Sequence, residues 1–196
     1  MRPRTKPPEQ RRADLLDAAE RIALDKGVEG ITVDEVTAGA GVSKGSFYLH
    51  FRSKDHVLDA LRERYVERFL ARQAAAVAGA AGADPDDWAG RVEAWAVAGI
   101  EDYVEDPRLH DVVFRHSQPP PRIDPEQPTP IIELQALLEE AVAAGALAIR
   151  DPHATAVVIY HAVHGTSDHL IHAGDPTAPE RLIAEVRRLC RALLDA

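Results

Sequence analysis

No segment of this chain of 196 residues sustains the alternation of apolar and polar residues that a half-buried strand requires. Apolar residues recur instead at spacings of three and four. Such a chain must bury its apolar surface helix against helix, so the fold class is read as all-α with about nine helices. At 45% apolar and 28% charged residues it has the composition of a globular protein.

Punctuation marks divide the pattern. Leu15, Ala19, Ile22 and Ala23 stripe a first helix over about 9–26, which Gly27 can end. Thr32-Val33-Asp34-Glu35 has the form of a capping box and starts a second helix at about 33–39. Ala38-Gly39-Ala40-Gly41 reads as a tight corner, with Gly41 free to take positive φ. Ser43 caps a short third helix to about Leu49, and Ser53 caps a long fourth helix that ends within Ala74–Ala83. Further helices are expected at about 86–104, from Pro107 to near Arg115, at 131–144, 152–173 and 179–194. Between them Ser117–Pro130, with six prolines, must be a loop. The N-terminus is basic without a following apolar run, so no signal peptide is expected. No stretch of 18 apolar residues suggests a membrane span. Cys190 is the sole cysteine, which excludes an intramolecular disulfide and suits a reducing cytoplasm.

The net charge of −9 argues against a nucleic-acid partner only when taken as one number. Residues 1–56 carry 10 Lys/Arg and 9 Asp/Glu, and the remaining 140 carry 13 and 23. Within the first part, bases cluster in residues 1–12 and again at Lys44, Arg52 and Lys54, a local footprint suited to phosphates. Three short helices with a glycine corner before the third describe a helix-turn-helix. Its third helix opens Ser43-Lys44-Gly45-Ser46. Gly45 permits close backbone approach to DNA, and Lys44 and Ser46 can reach base edges or phosphates. Tyr48, His50 and Lys54 offer donors to phosphate oxygens. Thr32 and Ser43 can serve as helix caps and as DNA contacts, since one hydroxyl can do both. The arm bearing Arg2, Arg4 and Lys6 can reach the backbone or minor groove, or simply be a solubilising tail.

The run from Thr32 through Val42-Ser43-Lys44-Gly45-Ser46-Phe47-Tyr48-Leu49-His50-Phe51-Arg52-Ser53-Lys54-Asp55 resembles the DNA-binding signature of the tetracycline-repressor (TetR) family. The likeness covers about residues 9–70; Thr37, where many members have alanine, departs from it. The resemblance implies a DNA-binding domain over 1–54 and a ligand-binding and dimerisation domain over 55–196. It implies a homodimer built on the last two helices and a cavity for a small-molecule effector. It matches Thr32, Ser43, Lys44, Ser46, Tyr48, His50 and Lys54 to the family's DNA contacts, and Phe47 and Phe51 to its core. The function expected is a repressor released from a pseudo-palindromic, double-stranded operator by an inducer. An activator, or a regulator that senses a protein, is the alternative.

The effector side is less legible. Trp95, Tyr103, His110 and Phe114, with His161 and His164, are the candidate lining of a mostly apolar pocket; ordinary core packing is the competing reading. Seven of the nine histidines follow residue 100. On the eighth helix His161, His164, Asp168 and His172 fall within an arc of about 80°, opposite Ile159, Val163, Thr166 and Leu170. His161 and His172 lie about 16 Å apart along the axis, so all four cannot share one metal. A polar surface or dimer face is the preferred reading, and no metal or cofactor is expected. A metal-dependent enzyme is a remote alternative, because no HExxH, nucleophile elbow or glycine-rich phosphate loop is present. The ninth helix carries a broad stripe of Leu182, Ile183, Val186, Leu189, Cys190, Leu193 and Leu194, too apolar to stand alone on a surface.

Overall fold

The computed structural model describes residues 7–105, 107–114, 128–173 and 178–194. Most of the proline-rich loop and the arm with Arg2, Arg4 and Lys6 lie outside the described residues. The described chain is all helical: α1 (Pro8–Lys26), a 3-10 turn (Val28–Gly30), α2 (Val33–Ala40), α3 (Lys44–His50), α4 (Lys54–Ala83), α5 (Trp88–Glu105), α6 (Pro107–Phe114), α7 (Pro130–Ala143), α8 (Pro152–Ala173) and α9 (Ala178–Leu194). No helix among these residues is long and apolar enough to cross a membrane.

The chain divides into two compact units. The first holds the residues up to Tyr65 together with α6 from Arg108; the second holds Val66–Pro107 and the described chain from residue 128 onward. α4 therefore contributes its first part to one unit and its remainder to the other.

In the first unit, α1, α2, α3 and the start of α4 close over Leu15, Leu16, Ala19, Val36, Phe47, Phe51, Val57 and Leu61. The Phe47 and Phe51 rings, one helical turn apart, lie 5.7 Å between centroids. Small residues let α1 and α2 approach closely: a Cβ on Gly39 would stand 3.2 Å from that of Ala18. Arg64 Nη1 is 2.6 Å from Asp17 Oδ1, and its Nη2 pairs with Glu20, so α4 is clamped to α1. Arg108 donates to the Leu24 carbonyl at 2.6 Å, which fastens α6 to the last turn of α1.

In the second unit, α5, α7, α8 and α9 pack around Val92, Trp95, Ile100, Leu134, Leu138, Ile159, Val163, Val186 and Cys190. Local chemistry sets the ends. Thr129 accepts from the Ile132 N–H with Pro130 in the first turn of α7, Gly145 closes that helix at φ 70°, and Asp151 accepts from the Ala154 N–H to open α8. α9 buries Val186, Cys190 and Leu194 but leaves Leu189 and Leu193 37% and 38% exposed. Burial pushes the Cys190 thiol up to about 11, with the Glu93 charge adding to it.

A candidate nucleic-acid interface

α2 begins at Thr32, whose hydroxyl oxygen accepts from the Glu35 N–H at 3.2 Å and donates to the Glu35 carboxylate at 3.1 Å. The Thr32 hydroxyl thus caps the helix, and the Glu35 carboxylate returns to that hydroxyl rather than to the Thr32 N–H of a full capping box. Thr37 is buried and its hydroxyl donates to the Val33 carbonyl at 2.9 Å, so the hydroxyl is satisfied inside the helix. Gly41 takes φ 66° and ψ 34°, and the Val42 N–H reaches back to the Thr37 carbonyl. This left-handed residue turns the chain between the two helices.

Ser43 opens α3 by accepting from the Ser46 N–H at 3.2 Å. Phe47 points inward and is fully buried, while its neighbours face out: Tyr48 is 58% exposed and Leu49 80%. Gly45 is exposed, and a Cβ there would meet only Ser43 Oγ, at 3.8 Å, so packing does not demand glycine at this position. Ser46 is half-buried, with its hydroxyl turned inward and no partner. His50 is half-buried at the last turn. Lys44 Nζ lies 2.6 Å from Asp34 Oδ1 at the first turn of α2, and Lys54 Nζ donates to the Glu29 carbonyl at 3.2 Å. At the head of α4, Ser53 accepts from the His56 N–H, and His56 Nδ1 accepts from the Arg52 N–H.

The structure therefore gathers Thr32, Ser43, Lys44, Gly45, Tyr48, His50 and Lys54 on α2, α3 and the start of α4. Two features escaped sequence reasoning. Leu49 is the most exposed large apolar residue of α3, and only the orientation of α3 reveals it. Asp34 read as part of a capping box; its pairing with Lys44 needs the corner at Gly41.

The effector-side candidates separate. Tyr103 is buried with its ring 5.7 Å from that of His164, and Tyr160 approaches both His161, at 5.2 Å, and His164, at 5.8 Å. Burial holds His164 below the ordinary histidine range; Asp168 opposes this and His161 adds to it. His161 itself is exposed. Trp95 is buried, its carbonyl accepts from Gln73 Nε2 at 3.2 Å, and its indole N–H and the Gln73 Oε1 are buried without partners. Gln73, 1% exposed, stands in front of an alanine-rich run and gave no sequence signal. His110 and Phe114 are in the first unit, with centroids 4.9 Å apart, and both pack edge-on against Tyr65. Among the described residues no group of three histidine, cysteine or carboxylate side chains could hold a metal ion.

Two family models match the chain: bacterial regulatory proteins of the tetR family over residues 15–61, and the tetracyclin repressor-like C-terminal domain over 87–194. The HTH-type transcriptional repressor KstR2 of Mycobacterium tuberculosis is 36% identical over 62 residues, covering 32% of this chain and 31% of that protein. The HTH-type transcriptional activator FasR of Mycolicibacterium smegmatis is 39% identical over 64 residues, 33% of this chain and 29% of that one. The chain thus matches about a third of the length of these curated relatives. A solved protein of unknown function from Rhodococcus sp. RHA1 shares the fold at a TM-score of 0.78 and 24% identity, covering 99% of this chain and 100% of that one. With one model on the helix-turn-helix and another on more than half of the chain, this protein belongs to the tetR family of bacterial regulatory proteins.

Proposed function

We propose that this protein is a ligand-responsive, DNA-binding transcriptional regulator, acting in the cytoplasm as a homodimeric repressor. One observation carries the reading: a capped, glycine-cornered α2–α3 pair keeps Phe47 and Phe51 in the core and turns Lys44, Gly45, Tyr48 and Leu49 outward. A short helix offered in this way fits a major groove, with Lys54 and Tyr48 on the flanking phosphates and Thr32, Ser43, Ser46 and His50 completing the contacts. Ser46 would have to turn its hydroxyl outward to take part. The test is retention of duplex fragments from the gene's own upstream region across a salt series. Salt-steep retention supports the reading, and no retention of any duplex at low salt refutes it.

A two-fold dimer through α8 and α9 is supported by Val158, Leu189 and Leu193, which leave apolar surface outward on those helices. It would set two recognition helices about 34 Å apart, one turn of operator. Sedimentation of the wild type and of Leu189→Glu/Leu193→Glu tests it: the wild type should run as a dimer and the variant as a monomer.

For the effector we propose a site in the second unit drawn from Trp95, Tyr103, His161 and His164, with Gln73 added by its unpartnered oxygen. His110 and Phe114, the other two candidates, belong to the first unit, where they pack on Tyr65, and are not part of this site. An effector releases the operator only by binding one conformation more tightly than another. KstR2 is named a repressor and FasR an activator, so likeness to them over the DNA-binding segment does not choose the sign. Repression is the reading adopted, and a reporter that rises on deletion of the gene supports it. An enzyme is not proposed: these relatives are named as regulators.

A further inference from the structure

The lysines among the described residues do not stand equivalent at the interface. Lys26 Nζ lies 2.7 Å from Glu35 Oε1, and Lys44 Nζ lies 2.6 Å from Asp34 Oδ1. Both carboxylates belong to the first turn of α2. Lys54, by contrast, meets the uncharged carbonyl of Glu29. Lys44 is the first residue of α3, where a phosphate or base edge must arrive. Its ammonium is already held by an anion from the neighbouring helix.

We infer that Asp34 is an internal substitute for phosphate: it occupies Lys44 and so sets how tightly the protein holds duplex DNA of any sequence. The inference rests on the DNA-binding reading above. Both side chains are exposed, so the pair itself contributes little to folding. Its effect falls on binding. Affinity for any duplex, whatever its sequence, comes from cations that neutralise phosphates and release condensed counterions. A lysine paired with a carboxylate adds no net charge to that exchange, and the carboxylate itself repels incoming phosphates. Any duplex must displace Asp34 before Lys44 adds to that exchange, so Asp34 lowers the protein's sequence-independent affinity for DNA.

The full-length protein and its Asp34→Asn and Asp34→Ser variants are titrated with a random-sequence 30-base-pair duplex at several salt concentrations. Asparagine keeps the side-chain size and removes the charge, and serine guards against an idiosyncrasy of the amide. Both variants should bind this duplex on the order of tenfold more tightly at low salt, with the log–log salt slope steeper by about 0.9. That advantage should shrink about threefold between 50 and 200 mM salt. Asp34→Asn/Lys44→Gln should return to the wild-type slope. Glu140→Gln, the same change of net charge on an exposed residue of the second unit, should leave the slope alone. Wild-type slope and affinity in both Asp34 variants, or a like gain from Glu140→Gln, would overturn the inference while leaving the regulator reading intact. Absence of retention by every protein at low salt removes both.

Discussion

The ammonium of Lys54 lies 3.2 Å from the main-chain carbonyl oxygen of Glu29, so the first turn of α4 is tied to the 3-10 turn that precedes α2. A carbonyl orients a cation without cancelling its charge. Lys54 thus stays available to phosphate while its position is set by backbone.

Lys54→Ala should weaken binding to operator and random duplexes alike and flatten the salt slope by about one unit. Retention of both duplexes across a salt series measures this. An unchanged slope would remove Lys54 from the phosphate contacts.

Among the described residues the two hydrophobic clusters have no member in common. Phe47 is fully buried in that of the first unit, and Phe47→Ala should cost that unit about 3–5 kcal/mol through lost burial and the cavity left behind. Calorimetry should show a lowered transition for the first unit beside an unmoved one for the second, a departure from two-state melting. A uniform downward shift of a single transition would contradict it.

Glu93 is buried on α5 and faces two half-exposed arginines of α9: Arg187, at 3.8 Å, and Arg191, in direct contact. The asymmetry predicts an order. Glu93→Gln leaves arginines that water can solvate, whereas Arg187→Ala/Arg191→Ala strands a buried carboxylate. The double arginine variant should be the less stable by about 1–3 kcal/mol in urea denaturation. The reverse order would mean that water reaches Glu93.

His164, packed against Tyr103 and Tyr160, has a folded pKa held below its ordinary 6.5 by burial. On acidification the unfolded chain therefore takes up this proton first. The resulting stability is complete above about 6.5 and is lost as pH falls through the folded value. The urea midpoint of the second unit should be lower at about pH 5 than at pH 7, and His164→Phe should narrow that difference. An identical difference in the variant would assign the acid sensitivity to other groups.

Helix boundaries were legible because their signals act within one turn. Thr32 and Ser43 before polar first turns, Pro152 at a helix start, and Gly27, Gly41 and Gly145 at positive φ each act on their own backbone, whereas Pro130, expected in the loop, is the first residue of α7. The inward pair Phe47 and Phe51 was expected from the family resemblance, and both are buried. Periodicity alone was less reliable on α8. His161, Asp168 and His172 are exposed, but His164, within the same arc, is half-buried against a ring from α5. The sequence of α8 does not say which neighbour covers the edge of its polar face.

What the chain's order of residues determined by itself is where each helix starts, stops and turns its apolar stripe, along with the glycine-cornered pair that resembles a DNA reader. Tertiary structure alone decided the partners. It set Asp34 on Lys44, Arg108 on the Leu24 carbonyl, Gln73 against Trp95, and His110 and Phe114 on Tyr65. Caps and turns are contests within a few residues of backbone, whereas charge pairs and ring contacts between distant residues form only after the helices have packed.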